Sequence, residues 1–479
     1  IPEKGEGAQV ERNKLRTARA AVARQLESDA QHSGAAGEVA AAHRALIDDP
    51  MLSEVADSAI AEGRSAGAAW QAAIAQASAP LREAGDPRFA ERIDDFADLE
   101  RRVLAELYGD AVAPALPPEG AILIADTLYP SQLMALTGAG LGGIVTAKGG
   151  ATSHVAIIAA GMGVPMLAGV GEALNNVDAG TALIVDGGVV RIDPDPSEVN
   201  AAQAQAALRQ RRRAAARAHA HEPAITIDGT RIEVVANCGS AEDARAAVAE
   251  GGEGCGLLRT EFLFLDRASP PGLAEQRDAY QAVADALGDR PLIVRTLDIG
   301  ADKPAPWLPM EAEENPALGL RGIRLQLARR DLLETQLRAL LSVEAKGLRI
   351  MLPMVCDAGE LDAAKAMLDA LADEMGRSAP PLGIMVETPA AALTAATLGQ
   401  SAAFFSIGSN DMTQYALARD RTNPAVAAGL DALHPAVLAL IDATVRGGAA
   451  HDAWTGVCGG VAAMAEAVPL LIGLGVSEL

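Results

Sequence analysis

The stretch PLGIMVETPAAALTAATLGQSAAFFSIGSND (residues 381–411) decides the fold, because two short apolar runs flank a segment rich in Ala and Leu. Such runs of Val, Ile, Leu and Phe are typical of buried strands in a parallel sheet, and the segment between them has the composition of a helix. Each run ends on polar residues, Glu387 after the first and Asn410 with Asp411 after the second. The stretch therefore predicts a strand, a helix and a strand with chemical groups at the strand ends.

The same alternation extends over residues 223–479. Seven runs there predict strands: RIEVVAN (231–237), GCGLLRT (254–260), PLIVRTL (291–297), LRIMLPM (348–354), LGIMVET (382–388), FFSIGS (404–409) and WTGVC (454–458). Helix-like sequence follows most of them, so we expect a parallel sheet or β/α barrel with right-handed crossovers. In a barrel of this kind the carboxyl ends of the strands form the catalytic face.

The residues before the barrel divide into three predicted parts. Residues 8–112 are rich in Ala, Glu and Arg and predict a bundle of helices, which ends in the Pro- and Gly-containing segment AVAPALPPEG (111–120). Residues 113–196 carry the short runs AILIAD, GGIVTAK and GTALIVDGGVVRID and predict a small α/β domain. Residues 197–222 predict a single Ala- and Arg-rich linker helix with little apolar surface to bury.

The composition excludes several classes of protein. The 479 residues carry a formal net charge of −23 and only 3% aromatic residues, which argues against a nucleic-acid or anionic-membrane binder. The chain has no apolar run long enough for a membrane span and no signal-peptide pattern, so it predicts a cytoplasmic protein. Four scattered cysteines, Cys238, Cys255, Cys356 and Cys458, suggest neither a disulfide framework nor a zinc site.

Charged residues gather near the predicted strand ends. The cations are Arg259, Arg295, Arg321 and Arg421, and the carboxylates are Glu387 and Asp411. Guanidinium groups bind phosphate and carboxylate groups through paired hydrogen bonds, and two carboxylates with room for other oxygens suit Mg²⁺. The set predicts a site for a small phosphorylated acid bound with a metal ion. For any single arginine the alternative is a structural salt bridge to a local carboxylate such as Glu261, Asp298 or Asp420.

Two further residues carry candidate chemistry. Cys458, in TGVCGG, follows the last predicted strand, where a thiol can exchange a proton with a bound substrate. His154, in GGATSHVAIIAAGMGVP (149–165), is predicted in the first turn of a helix, whose backbone N–H groups and positive end favour a phosphoryl group on the imidazole. The alternative is a histidine with only a capping role. His43, His434 and His451 lack this setting and are interpreted as structural.

These motifs together resemble Enzyme I of the bacterial phosphoenolpyruvate-dependent sugar phosphotransferase system, the phosphoenolpyruvate-protein phosphotransferase family. The matching stretches occur in family order and cover nearly the whole chain. They are AAHRALIDDPML, DLERRVLAEL, GGATSH, GLLRTEFLFLDR, VRTLDIGADKP, EENPALGLRGIR, LRIMLPM, IMVETPAA, FFSIGSNDMTQYALARDR and WTGVCGG. The resemblance implies a helical subdomain inserted in a swivelling phosphohistidine domain, followed by the linker helix and a TIM-type barrel.

The resemblance also implies roles for the candidate residues. His154 is the phosphorylated nucleophile through its Nε2, and Cys458 protonates the enolate carbon as pyruvate forms. Glu387 and Asp411 hold Mg²⁺. Phosphoenolpyruvate is held by Arg259, Arg295, Arg321 and Arg421, with Asn410 assisting. The phosphoryl group then passes to a histidine phosphocarrier protein docked on the helical subdomain, and the family implies a homodimer formed through the barrel.

The chain departs from the family pattern at four positions. Arg residues of the family correspond to Ala97, Ala151 and Ala160, and a family Glu corresponds to Gly460. The departures are compatible with a subclass such as the Enzyme I part of a fused fructose-type multiphosphoryl transfer protein. Two alternatives stay open, an enzyme like phosphoenolpyruvate synthase or pyruvate phosphate dikinase, and a phosphoenolpyruvate-sensing module with weak transfer.

The two ends of the sequence carry a further expectation. Seven barrel strands are identified, and the chain ends at VSEL479, where an eighth strand is expected. An open seven-stranded barrel exposes a sheet edge beside the active site. We therefore expect a barrel truncated before its eighth strand and additional native sequence at both ends.

Overall fold

The computed structural model describes residues 1–479 apart from 31–34, 84–89, 110–116, 151–152, 187, 266, 301–304 and 312. The chain divides into two units, Ile1–Leu208 and Arg209–Leu479. Most of the predicted boundary segment AVAPALPPEG, namely residues 111–116, lies outside the described residues. None of the helices within the described part of the chain combines the length and apolar character needed to cross a lipid bilayer.

Five helices open the first unit: α1 (Ala8–Asp29), α2 (Ala35–Ile47), α3 (Pro50–Ala61), α4 (Ala66–Glu83) and α5 (Ala90–Tyr108). Their apolar faces enclose a core of Leu, Ile and Ala side chains around the fully buried Trp70. The start of α3 shows how the sequence sets an end, since Asp49 accepts a hydrogen bond from the Met51 N–H at 2.9 Å and Pro50 takes the first helical position. The predicted helices are confirmed.

A small sheet follows in the same unit. Strands β1 (Ile122–Ala125), β2 (Gly143–Thr146) and β3 (Met166–Leu167) pair in parallel in that order, with helices α6 (Pro130–Met134) and α7 (His154–Gly161) between them. A hairpin of β4 (Leu183–Asp186) and β5 (Val189–Ile192) follows. The strands predicted from AILIAD, GGIVTAK and GTALIVDGGVVRID are present. The sequence does not predict β3, which is only two residues long.

The predicted linker helix is α8 (Pro196–Ala218), and most of its described side chains are exposed. The second unit begins with a hairpin of β6 (Ala224–Ile225) and β7 (Arg231–Ile232). Seven strands then form one curled parallel sheet in sequence order: β8 (Ala236–Cys238), β9 (Cys255–Leu258), β10 (Leu292–Arg295), β11 (Leu348–Leu352), β12 (Leu382–Val386), β13 (Phe404–Ile407) and β14 (Trp454–Val457). The fold is mixed α/β, and the sheet is consistent with a TIM-like barrel.

Eleven helices connect and cover these strands: α9 (Ala241–Ala249), α10 (Leu273–Leu287), α11 (Gly322–Ala328), α12 (Arg330–Leu341), α13 (Ala358–Glu374), α14 (Pro389–Leu393), α15 (Ala395–Leu398), α16 (Ser409–Leu417), α17 (Pro424–Ala427), α18 (Pro435–Ala449) and α19 (Val468–Gly473). This count refers to the described residues. The largest apolar core of the chain lies between the helices and the outer face of the sheet.

One prediction about the barrel needs correction, and a second is not confirmed. The run predicted as one strand, RIEVVAN, is split, because Arg231–Ile232 pairs with the preceding hairpin strand and only Ala236–Cys238 joins the sheet. The eighth position is also not left open. Glu478 forms parallel bridges with both Glu233 and Gly456.

Backbone hydrogen bonds hold this last segment on both sides. The Glu233 N–H donates to the Ser477 carbonyl at 2.9 Å, and the Val457 N–H donates to the Glu478 carbonyl at 2.9 Å. The expectation of a barrel that stops before its eighth strand is therefore not confirmed. Residues 477–479 occupy that position between the first and seventh strands.

Candidate active site

The carboxyl ends of the barrel strands bring most of the predicted residues into one cavity of about 400 Å³. Arg295 ends β10, Glu387 follows β12 and Cys458 follows β14. Of the residues predicted from the sequence, the cavity is lined by Arg259, Arg295, Glu387, Asn410, Asp411, Arg421 and Cys458. It is also lined by Glu261 and Asp298, which the sequence indicates only as possible salt-bridge partners.

The buried cations of the site alternate with carboxylates. The Arg295 guanidinium pairs with Glu261, and its Nη1 lies 3.3 Å from Asp298 Oδ2. Asp298 in turn lies 3.1 Å from Arg321 Nη2, and Arg321 Nη1 lies 3.5 Å from Asp411 Oδ1. The salt-bridge alternative therefore holds for Arg295 and Arg321, and these salt bridges fix the two guanidinium groups at or directly behind the wall of the cavity.

Arg321 occupies a different place from the one predicted. It is only 2% exposed and is not one of the residues that line the cavity. Burial by itself lowers the pKa of the Arg321 guanidinium, but the negative charges of Asp298 and Asp411 outweigh burial and raise that pKa. Arg321 is therefore a fixed cation behind the two carboxylates.

The remaining two arginines are more accessible. Arg421 Nη1 lies 3.6 Å from Asp411 Oδ2, with its side chain 30% exposed. Arg259 is exposed, and its backbone N–H donates to the Cys238 carbonyl at 2.8 Å. These two side chains have more freedom than Arg295 and Arg321 to adjust to a ligand.

Glu387 is the most perturbed carboxylate of the site. It is 1% exposed, and its Oε1 accepts a hydrogen bond from the Met354 N–H at 2.7 Å. Burial, together with the negative charges of Asp411 and Asp298, raises the pKa of Glu387 to about 8. A cation shared by Glu387 and Asp411 would relieve this repulsion.

The backbone beside Glu387 is tightly packed. Met354 has a φ of 59°, which turns its N–H towards the carboxylate, and Gly322 has a φ of 56°. A Cβ on Gly322 would lie 2.8 Å from the Met354 Cβ, so only glycine fits there. The sequence gives no direct sign of this support for Glu387.

The donor set at Glu387 and Asp411 fits Mg²⁺ held together with a substrate. Mg²⁺ is usually bound by one or two protein carboxylates plus phosphate oxygens and water. Within the described residues, no cluster of three or more His, Cys, Asp or Glu side chains forms a complete metal cage. Two carboxylates at the wall of the cavity therefore suit a shared ion better than a permanently caged one.

Cys458 lies at the end of β14, where its Sγ is 3.6 Å from the Ile407 carbonyl oxygen. Burial raises the pKa of the Cys458 thiol to about 11, so the thiol keeps its proton at neutral pH. The following loop is closely packed, since a Cβ on Gly459 would lie 2.0 Å from the Ser409 Oγ. The Gly460 N–H donates to the Asn410 Oδ1 at 3.2 Å, which ties the segment after Cys458 to the first turn of α16.

His154 lies on the first unit, as the first residue of α7. The Ser153 Oγ accepts a hydrogen bond from the Ala156 N–H at 3.3 Å and so caps the helix. The imidazole is 31% exposed, and its Nδ1 lies 3.2 Å from the Asp95 Oδ1. The location of His154 in the first helical turn agrees with the prediction from the sequence.

The sequence does not predict which side chains contact His154. Asp95 is almost fully buried on α5, and its Oδ1 also lies 2.8 Å from the Nε2 of His43, which was interpreted as structural. The signal in the sequence is the pair Asp95 and Asp98, which stand three residues apart and so share one face of a helix. His434, in contrast, caps α18 by accepting the Ala436 N–H at 3.1 Å.

The departures from the family pattern lie in different settings. Ala97 is half-buried on α5, and Ala160 is exposed on α7. Gly460 is exposed, whereas Ala151 lies outside the described residues. Of the described residues that line the cleft at His154, Lys148 is the one cation, beside Asp94 and Asp95.

The barrel cavity and His154 carry the residues that the sequence analysis predicts for a class of enzyme that uses a phosphorylated acid and a phosphohistidine. Comparison with protein families agrees with this class. Three family models match the chain: "PEP-utilising enzyme, N-terminal" over residues 2–92, "PEP-utilising enzyme, mobile domain" over 117–189, and "PEP-utilising enzyme, PEP-binding domain" over 213–479. The last covers more than half of the chain, so the protein belongs to the family of PEP-utilising enzymes that includes the phosphoenolpyruvate-protein phosphotransferases.

Curated relatives specify the resemblance further. A multiphosphoryl transfer protein of Rhodobacter capsulatus is 42% identical over 91% of this chain and 53% of its own length. A phosphoenolpyruvate-protein phosphotransferase of Haloferax volcanii is 40% identical over 91% of this chain and 78% of its own length. The Haemophilus influenzae protein of the same name is 36% identical over 90% and 77%. The chain spans about half the length of the multiphosphoryl transfer proteins that it matches.

Proposed function

We propose that the protein transfers the phosphoryl group of phosphoenolpyruvate to its own His154 and then to a histidine phosphocarrier protein, releasing pyruvate. The observation that carries this proposal is the barrel cavity, which brings arginines, two candidate metal ligands and a protonated thiol together. Phosphoryl transfer depends mainly on positioning and charge neutralisation, and this cavity supplies both.

In the proposed reaction, the phosphate and carboxylate groups of phosphoenolpyruvate are held by Arg259, Arg295, Arg321 and Arg421, with Asn410 assisting. Arg321 acts from behind Asp298 and Asp411, with which it is paired. Glu387 and Asp411 would hold Mg²⁺, which when bound neutralises charge on the phosphoryl oxygens. The guanidinium groups orient the substrate because the carboxylates already fix them.

The proposed transfer breaks one bond to phosphorus as it forms another. The Nε2 lone pair of His154 forms a bond to phosphorus while the bond between phosphorus and the enol oxygen breaks. The electron pair of that bond stays with the enolate, and its carbon takes the proton of the Cys458 thiol to give pyruvate. The thiolate then regains a proton from solvent.

The proposal assigns one task to each part of the chain. Residues 8–112 form the carrier-binding helical subdomain, and residues 113–196 the swivelling phosphohistidine domain. Residues 197–222 act as the linker across which His154 travels, and residues 223–479 bind phosphoenolpyruvate. By its resemblance to the family, the proposal includes a homodimer formed through the barrel and a cytoplasmic location. It also includes an origin in a fused multiphosphoryl transfer protein, which the relative from Rhodobacter capsulatus supports.

The test is incubation with phosphoenolpyruvate radiolabelled on phosphorus, with and without Mg²⁺. We expect an acid-labile, base-stable label on the wild-type protein, pyruvate in equal amount, and passage of the label to a purified phosphocarrier protein. The His154→Ala protein is the control and should remain unlabelled. Equal labelling of that variant would refute the proposal.

The same experiment separates two other functions. Labelling that requires ATP would instead indicate an enzyme like phosphoenolpyruvate synthase or pyruvate phosphate dikinase. Calorimetric binding of phosphoenolpyruvate without release of pyruvate would indicate a sensing module. The relatives named phosphoenolpyruvate-protein phosphotransferase favour the transferase over both alternatives.

A further inference from the structure

A buried imidazole, that of His43, and a partly exposed one, that of His154, share one carboxylate oxygen in the first unit. The Asp95 Oδ1 lies 2.8 Å from the His43 Nε2 and 3.2 Å from the His154 Nδ1. His43 is completely buried, and Asp95 is 4% exposed. The contact is therefore part of the interior of the protein and joins helices α2, α5 and α7.

The protonation of this group follows from the carboxylate. Burial acts to raise the pKa of Asp95, but the hydrogen bonds from His154 and His43 outweigh it and lower the pKa to about 2. Asp95 is therefore ionised at neutral pH, and an ionised carboxylate only accepts hydrogen bonds. Both facing nitrogens must then carry hydrogen, which places N–H on the His43 Nε2 and on the His154 Nδ1.

The position of this hydrogen decides which nitrogen of His154 can act as the nucleophile. A neutral His154 with hydrogen on Nδ1 keeps its lone pair on Nε2, the atom that the proposed function needs. A carboxylate directed at His154 alone would favour the doubly protonated imidazolium, which has no lone pair. A second donor on the same oxygen weakens that effect, because the carboxylate charge is shared.

We propose that His43 is a positioning residue that acts through Asp95. His43 holds the carboxylate so that its Oδ1 accepts the hydrogen of the His154 Nδ1. The hydrogen bond from His43 also weakens Asp95 as an acceptor, which reduces the tendency of the carboxylate to stabilise a protonated His154. This inference rests on the proposed function of His154 and deepens it. His43 itself touches neither substrate nor phosphoryl group in this role.

The surroundings of both rings support the assignment. The other nitrogen of His43, Nδ1, has no hydrogen-bond partner and lies 3.6 Å from the Asp98 Oδ2. Asp98 accepts hydrogen bonds from Ser131 and, at 3.3 Å, from the Arg102 Nε, so its charge is engaged elsewhere. Among the described residues, the charged groups that line the cleft at His154 are Asp94, Asp95 and Lys148. The contact with the Asp95 Oδ1 fixes the hydrogen on the Nδ1 of the His154 ring.

The first measurement uses the wild-type protein and nitrogen-15 NMR of its histidine rings. We expect hydrogen on the His154 Nδ1 and on the His43 Nε2 at pH 7. Hydrogen on the His154 Nε2 instead would overturn the inference, whatever the variants do. This measurement does not depend on phosphoryl transfer, so it stands even if the proposed function fails.

The second measurement is the pH dependence of single-turnover phosphorylation of His154 by phosphoenolpyruvate. The His43→Leu protein should lose about tenfold in rate at pH 6 and keep its rate at pH 9, because one charge interaction moves such a titration by about one pH unit. The His43→Gln protein retains an N–H donor and should restore most of the rate at pH 6.

A matched control separates this role from loss of stability. Leu46 lies buried on the same helix, and Leu46→Ala should destabilise α2 without moving the pH profile. An equal loss of rate at pH 6 and pH 9 in His43→Leu would mean that His43 only supports the fold, and would overturn the inference. Absence of His154 labelling in the wild-type protein would instead refute the proposed function.

Discussion

Replacing Cys458 by alanine tests the last chemical step of the proposed reaction. The Cys458 side chain packs against a small cluster inside the barrel that contains Leu257, Met385 and Phe404. Removing its sulfur leaves a small cavity and costs about 1 kcal/mol, a fraction of the stability of a folded domain. We therefore expect Cys458→Ala to fold and to bind phosphoenolpyruvate with unchanged affinity.

The loss should appear in pyruvate formation. A positioned general acid contributes about 10²-fold to 10⁴-fold to a rate, and pyruvate release should fall within this range. The pKa of the wild-type thiol is raised to about 11 by burial, so only about one thiol in a thousand is ionised at pH 8. Ionisation of the thiol should therefore not lower the wild-type rate between pH 7 and pH 9, and should lower it only near pH 11.

The assay combines calorimetric binding of phosphoenolpyruvate with pyruvate release measured over one turnover. Cys458→Ser is the companion variant, because it keeps a hydroxyl of similar size that is a much weaker acid. Its rate should also fall. Unchanged pyruvate release in Cys458→Ala would refute the role of the thiol as proton donor, and a loss of binding would show that Cys458 shapes the cavity instead.

Four further predictions concern Glu387, Arg321, Lys148 and Glu478. Glu387→Gln should raise the Mg²⁺ concentration for half-maximal labelling at least about tenfold, since it removes one charged ligand; an unchanged titration would exclude Glu387 from the metal site. Arg321→Lys keeps the charge but not the fork that reaches Asp298, so urea unfolding should show a loss of about 3 kcal/mol, and no loss would contradict the importance of that pair. Lys148→Ala should shorten the lifetime of the phosphohistidine about twofold to fivefold, with Lys148→Arg as the control, and equal lifetimes would remove Lys148 from this role. Burial raises the pKa of Glu478 to about 7, so the folded state binds this proton more tightly than the unfolded state does. Barrel stability should therefore fall by up to about 3 kcal/mol as pH rises from about 4.5 to 7. Glu478→Gln should flatten this profile, and an unaltered profile would contradict the assignment.

The strands of the barrel could be identified from the sequence because both of their faces are buried. Runs such as LGIMVET therefore stand out from the helical sequence around them. The failures occurred where a strand is short or shares its residues with another partner. β3 has two residues, and Arg231–Ile232 pairs outside the barrel sheet. The closing segment Ser477–Leu479 is also too short to show a period in sequence, and only its hydrogen bonds to both edges identify it.

In the candidate site, too, local features could be predicted from the sequence and long-range contacts could not. Residues that follow a strand, such as Glu387 and Cys458, are predictable because parallel strands end at one face. Arg321 lies in a loop, and its position behind the cavity depends on Asp298, in another loop, and on Asp411, in the first turn of α16. His43 and Asp95 lie on different helices and are 52 residues apart in the sequence, so no local spacing reveals their contact.

The balance of charge in the barrel explains why substrate and metal should bind together. Among the described residues, four arginines (Arg259, Arg295, Arg321 and Arg421) meet four carboxylates (Glu261, Asp298, Glu387 and Asp411) in or directly behind the cavity. Three of these arginines are already paired with carboxylates, so a strongly anionic ligand entering alone meets cations whose charge is partly neutralised. Mg²⁺ on Glu387 and Asp411 would compensate these two carboxylates and leave the Arg421 guanidinium, which pairs with Asp411, available to the phosphate. Under the proposed function, phosphoenolpyruvate affinity should therefore depend on the metal, while the salt bridges to Glu261 and Asp298 keep Arg295 and Arg321 in place before either ligand arrives.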